Sequence, residues 1–212
     1  LTAREIDAVL AAQHVTQPGA FSALAATSSA EGYLFPDTYR FFTDTDPARV
    51  MRVMRTNFDT KTAAMFTNAG LSTSSIREHV ILASLLEREV TSTEDREIVA
   101  GILRKRVAAG VPLQVDATIC FMKKQSDPDP SVPCYPLTPL DFKTDSPYNT
   151  YLYNGLPPGP IGNPGLDALT ASVEAKASPY WFYLTDPATK RTIFSRTLKE
   201  QNEARARYLG SS

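Results

Sequence analysis

Residues 76–90, Ile76-Arg77-Glu78-His79-Val80-Ile81-Leu82-Ala83-Ser84-Leu85-Leu86-Glu87-Arg88-Glu89-Val90, decide the architecture. Apolar side chains at Ile76, Val80, Ile81, Leu82, Leu85, Leu86 and Val90 leave almost no polar face, and Ser72 to Ser75 supply caps just upstream. A helix apolar on nearly every side must be central, with the rest of the chain wrapped around it. Working outward, Asp46-Pro47 caps a second periodic stretch, through Val50, Val53, Met54, Phe58, Ala64, Met65 and Phe66, that Gly70 closes. On the other side, Thr93 to Ala109 carries acids early (Glu94, Asp95, Glu97) and bases late (Arg104, Lys105, Arg106), as the helix dipole favours, before Gly110 and Pro112 end it. Thr2 and Glu5 form a capping box ahead of Ile6, Val9 and Leu10, and Gln17-Pro18-Gly19 breaks that short helix from the turn at Phe21 and Leu24.

Toward the C-terminus, the proline-rich stretch from Lys123 to Pro164 predicts a long surface excursion with at best short strands. Asn163-Pro164 then caps a helix through Leu166, Leu169 and Val173; Tyr180 to Leu184 and Arg191 to Ser195 flank Asp186-Pro187 as a hairpin, and Leu198 to Leu209 reads as a last helix. The aromatic segment 31–41 is a strand or a packed loop, and Gln114, Asp116 and Thr118 alternate as on one face of a strand. The sum is an α+β fold, a mixed helical and short-strand domain at 29–212 with a small N-terminal subdomain at 1–28.

Composition removes several functions. The 212 residues carry 22 Lys plus Arg against 23 Asp plus Glu, a net charge of -1, so no positive field exists to hold nucleic acid. Cys120, Cys134, His14 and His79 form no recognisable zinc spacing, so neither a metal nor a cofactor is expected. The two thiols either close a loop, as an oxidising compartment would allow, or stay reduced. No apolar run approaches the ~20 residues of a membrane helix. The chain opens at Leu1 without methionine or signal sequence, which suggests a fragment trimmed of its targeting element.

Among polar residues Glu87 is the most informative. On a helical wheel it lies within about 40° of Ile76, Val80 and Ala83, so its carboxylate points from the stripe expected to be buried. Desolvation would raise its pKa and suit it to donate a proton; pairing with Arg88 or Arg104, or snorkelling to the rim, is the competing structural account. Glu89, about 160° away, is expected on a solvated or salt-bridged side. Asp116 could be the second carboxylate that most glycosidases need, or part of a plain exposed strand face. Tyr148-Asn149-Thr150-Tyr151 and Asn154-Gly155-Leu156-Pro157-Pro158-Gly159-Pro160-Ile161 set aromatic and amide groups on a stiff loop that could hold a sugar or simply be tightly packed. The histidines have no matching nucleophile, and no phosphate-cradling glycine loop is present.

Six motifs carry a family likeness. They are Glu31-Gly32-Tyr33-Leu34-Phe35-Pro36-Asp37-Thr38-Tyr39, Leu82-Ala83-Ser84-Leu85-Leu86-Glu87-Arg88-Glu89, Leu113-Gln114-Val115-Asp116-Ala117-Thr118, Tyr148-Asn149-Thr150-Tyr151, Gly155-Leu156-Pro157-Pro158-Gly159-Pro160-Ile161 and Asn163-Pro164-Gly165. In order and content the sequence resembles the YceG-like, or MltG, family of endolytic peptidoglycan transglycosylases. The resemblance implies a partial LysM-like subdomain at 1–28 and a catalytic domain at 29–212. It implies cleavage of nascent glycan strands between N-acetylmuramic acid and N-acetylglucosamine to leave 1,6-anhydro ends, which limits strand length. It also implies Glu87, the first acid of the Glu-x-Glu pair, as the single catalytic acid, with Gln114, Asp116, Tyr148, Asn149 and Tyr151 lining the groove. The implied partners are peptidoglycan strands and peptidoglycan synthases (penicillin-binding proteins). The implied place is the outer side of the cytoplasmic membrane, through an anchor absent from this chain. The alternatives are a silent peptidoglycan-binding scaffold and a hydrolase using Glu87 with Asp116. The insert from Lys123 to Tyr135, with its Asp-Pro repeats, matches no motif of the family.

Overall fold

The computed structural model describes residues 1–90, 92–127 and 132–210. The central helix runs from Thr73 to Glu89 with Ser72 as its N-cap, and Val80 through Leu86 are all buried, as the sequence requires. Before it come α1 (Ala3–Ala12), α2 (Ala20–Thr27) and α3 (Pro47–Asn68), which makes the central element α4; after it come α5 (Thr93–Ala108), α6 (Asp116–Ser126) and α7 (Leu166–Val173). A hairpin of β1 (Phe182–Thr185) and β2 (Thr192–Ser195) and a final helix α8 (Leu198–Tyr208) close the chain. The hairpin is antiparallel, with Phe182 opposite Ser195 and Thr185 opposite Thr192, and α8 packs on it. The α+β expectation is borne out.

The main core gathers Leu82, Leu85, Leu86, Val99, Leu103, Leu113, Phe121, Ile161 and Leu169 around α4, with α5, α6 and α7 against it. Ser84, the polar residue inside this run, donates to Ile81 O (2.7 Å) and accepts from Ile161 N–H (3.0 Å), so it pins the proline-rich loop to the core helix. The helices of residues 1–28 share a second core with 30–34 and α3, through Ile6, Leu10, Phe21, Leu34, Val50 and Met54. Asp7 organises that corner: buried, it accepts from the N–H groups of Gly19, Phe21 and Ser22 at the start of α2, where Gly19 has φ +81°.

Two local expectations are corrected. The stretch around Gln114, Asp116 and Thr118 is not a strand: 111–115 is irregular, with Gln114 at φ +54°, and α6 begins at Asp116. Helix wins because Ala117, Cys120 and Phe121 reach the core together at helical spacing. Asn163 does not cap α7, whose N-cap is Gly165; its buried amide instead accepts from Gly32 and Leu34 N–H and donates to Glu31, tying the two cores together. The Cys120 and Cys134 thiols, left open by the sequence, form a disulfide. Residues 128–131 of the unmatched insert lie outside the described residues.

Candidate active site

The helix α4 ends at Glu89 because Val90 turns extended (φ -139°, ψ 135°), and Arg96 Nε secures its carbonyl at 2.7 Å. The next wall comes from 111–116, where Leu113 and Val115 are fully buried while Gln114 between them is exposed with φ +54°. Its left-handed backbone is uncommon for a residue with a side chain and is held by Gln114 N–H donating to Thr150 O (3.0 Å). Thr150 Oγ1 also accepts from Val115 N–H (3.0 Å) and pairs with Thr118 Oγ1 (3.0 Å). The loop of residues 148–153 is thereby fixed to the start of α6, and the hairpin forms the opposite wall. Together they enclose a cleft of about 450 Å³ lined by Glu89, Arg106, Gln114, Asp116, Tyr135, Tyr151 and Tyr183, with Arg88 and Arg205 also on its surface.

Two carboxyl groups meet there. Tyr151 OH donates to Asp116 Oδ1, and Tyr183 OH donates to Glu89 Oε2 at 3.2 Å. Glu89 is enclosed by protein apart from a partly exposed edge. Burial and then the neighbouring Asp116 push its carboxyl up to about 7, against the opposing hydrogen bonds from Tyr183 OH and Ala117 N–H. Burial and then Asp116 raise Tyr151, and burial and then Glu89 raise Tyr183, so these phenols stay protonated as donors. The Arg106 guanidinium lies 5.0 Å over the Phe182 ring and donates to Leu113 O (2.7 Å), bracing the hairpin against the turn that carries Asp116. A carboxyl group half-protonated near neutrality beside a second acid can give and take a proton at one site.

The expected burial of Glu87 is corrected. Glu87 is exposed, is not among the residues lining the cleft, and accepts from Gly165 N–H (3.1 Å) at the start of α7. Glu89, expected on the solvated side, is the enclosed acid. Of the five residues expected along a groove, Asp116, Gln114 and Tyr151 line this one cleft. Asn149 is fully buried beneath it: its Nδ2 donates to Phe142 O (3.0 Å) and Thr144 O (2.8 Å), and its Oδ1 accepts from Tyr151 N–H (3.0 Å). Tyr148 packs on Phe121 and lines a different cavity, beside Arg77 and Pro158. Sequence reasoning weighed Glu89 only as the rival to Glu87 and set it on the wrong side, and it missed Arg106, Tyr135 and Tyr183; the local signal for Glu89 was its place in the Glu-x-Glu pair.

A larger groove of about 510 Å³ lies between α1 and residues 34–41, but its walls are mainly apolar (Ile6, Leu10, Leu34, Phe41, Met54) and bring no pair of acids together. Chemistry, not size, selects the Glu89 cleft. Among the described residues no group of three His, Cys, Asp or Glu side chains could hold a metal, and no helix is long and apolar enough to cross a membrane.

The model of the YceG-like family matches residues 1–207. The chain belongs to the YceG-like family. A relative in Bacillus subtilis, an endolytic murein transglycosylase, is 32% identical over 183 residues, which cover 85% of this chain and 48% of the relative. A Streptococcus pneumoniae protein of the same description is 28% identical over 181 residues, 85% of this chain and 32% of that protein. The chain therefore spans about half of the first relative and a third of the second. The crystal structure of a yceG-like protein, lmo1499 of Listeria monocytogenes, superposes with a TM-score of 0.78 at 26% identity, covering 96% of this chain and 73% of that one.

Proposed function

We propose that this YceG-like chain is a murein transglycosylase and that Glu89 is its acid. Support for the activity comes from the relatives' descriptions; support for the residue comes from one observation, a carboxyl group that holds its proton to about pH 7 inside a cleft shared with Asp116. Glu89 in its neutral form protonates the oxygen of the glycosidic bond between N-acetylmuramic acid and N-acetylglucosamine, and the bond breaks toward that oxygen. The resulting carboxylate then takes the proton from the muramoyl 6-hydroxyl, whose oxygen closes on the anomeric carbon. The products are a 1,6-anhydro-muramoyl end and a free 4-hydroxyl, and Glu89 is protonated again. Asp116, held by Tyr151, faces the developing positive charge on the sugar.

Incubating the chain with peptidoglycan glycan strands and weighing the products tests this. Anhydro ends support the proposal. Ends heavier by the ~18 Da of a water molecule favour hydrolysis instead, a second reading that the closeness of Asp116 to Glu89 keeps in play. Strand binding without any product leaves a scaffold. A role in limiting strand length beside a peptidoglycan synthase, outside the cytoplasmic membrane, is the setting we propose for this chemistry; the disulfide fits an oxidising compartment.

A further inference from the structure

The unmatched insert returns to the cleft at Tyr135. This residue is 56% exposed, and yet its ring lies on the wall of the cavity that holds Glu89 and Asp116. An exposed aromatic on a cleft wall is unfavourably hydrated in isolation, so its place there needs a cause. The cause is covalent. Asp116 opens α6, and Cys120 stands four residues on, about one turn or ~6 Å along the same face. The Cys120–Cys134 bridge brings the returning chain within 5.4 Å (Cα to Cα) of that face, and Tyr135 is the next residue. Connectivity alone thus delivers one aromatic ring to the rim above Asp116, whatever course the preceding residues take.

Resting on the reading that the cleft takes a glycan strand, we propose that Tyr135 is an aromatic platform for a sugar ring of that strand, held in register with the acids by the Cys120–Cys134 disulfide. The apolar face of a pyranose covers the ring, while Gln114 and the acids that share the cleft take the hydroxyl and amide groups. Tyr135 is a binding residue and takes no part in proton transfer.

Binding is measured without turnover, on the 212-residue chain carrying Glu89→Gln, using peptidoglycan glycan strands of defined length. Adding Tyr135→Ala should weaken affinity roughly three- to tenfold, the range expected for one aromatic contact, with the thermal midpoint unmoved because the side chain is exposed. Tyr135→Phe should regain the lost affinity. Cys120→Ser with Cys134→Ser, measured well below its own melting midpoint, should weaken binding to the same degree with Tyr135 still present. Unchanged affinity in Tyr135→Ala, or no rescue by Phe, overturns the platform; unchanged affinity in the serine pair overturns the role of the bridge. Failure of the catalytic reading looks different: Glu89→Gln alone would then keep full turnover.

Discussion

Glu87 and Glu89 sit two residues apart at the end of one helix and occupy two different solvents. Glu87 looks toward α7, where it is exposed and holds the Gly165 N–H; Glu89 looks toward α6 and the hairpin, where protein encloses it and two tyrosines and Asp116 surround it. What separates them is not the helix that carries them but what docks on each side of its last turn. The general lesson is that a charged residue at a helix end takes its chemistry from its non-local neighbours.

The largest effect follows directly. Glu89→Gln should lower turnover of glycan strands by about 10²–10⁴, the range for loss of a general acid, whereas Glu87→Gln should stay within about tenfold of the parent. Product release measured by chromatography decides it, and the reverse ranking would return the catalytic role to Glu87.

The supporting wall should break next. Asn149→Ala strips a fully buried site of three hydrogen bonds and leaves Phe142 O, Thr144 O and Tyr151 N–H unmet, at a cost of about 3 kcal/mol in urea unfolding. Activity should fall along with stability, because Tyr151 then loses its fixed position against Asp116. Tyr148→Ala, on another cavity, should leave the pH profile of the reaction unchanged even where it lowers stability.

Much of the frame was legible because its causes are local. The Thr2–Glu5 capping box, the Asp46 and Ser72 caps and the solid apolar run of α4 each need only a few adjacent residues to declare themselves, and all appear as read. The wheel misjudged Glu87 and Glu89 because it measures direction against a solvent-facing side, and from Val80 to Leu86 this helix has none. Alternation at Gln114, Asp116 and Thr118 suggested a strand because two-residue spacing is also what an extended entry plus one helical turn can present. Tyr135 reaches the cleft through a bridge whose closure the sequence left open, and Tyr183 through the docking of a legible hairpin on Glu89, far away in sequence, so no local pattern could announce either.

The buried acid should also leave a mark on stability. The folded state raises Glu89 from 4.5 to about 7, so it favours the neutral form. Its contribution is fully present below pH ~4.5 and is lost as pH rises through about 7, on the order of 3 kcal/mol in all. Glu31, also pushed up to about 7 by burial, titrates in the same window. Parent and Glu89→Gln therefore share the Glu31 part, and their difference isolates Glu89: the variant should gain on the parent between about pH 4.5 and 7, the unfolded and folded values of Glu89. Parallel pH curves for the two proteins would show that Glu89 is not desolvated.

On the opposite side of α4 the same logic predicts very little. Glu87→Ala removes one acceptor from Gly165 N–H at a solvent-exposed place, where water can replace it. The loss should be about 0.5–1 kcal/mol, or a fall of ~1–4 °C in thermal midpoint for a chain of this size. Because Gly165 N–H opens α7, the loss should register at that helix first, as faster amide exchange over Leu166 to Leu169 with the cleft amides unaffected. Faster exchange at Ala117, which donates to Glu89, would show that the two sides of the helix end are coupled and that the contrast between the acids is not a matter of separate surroundings.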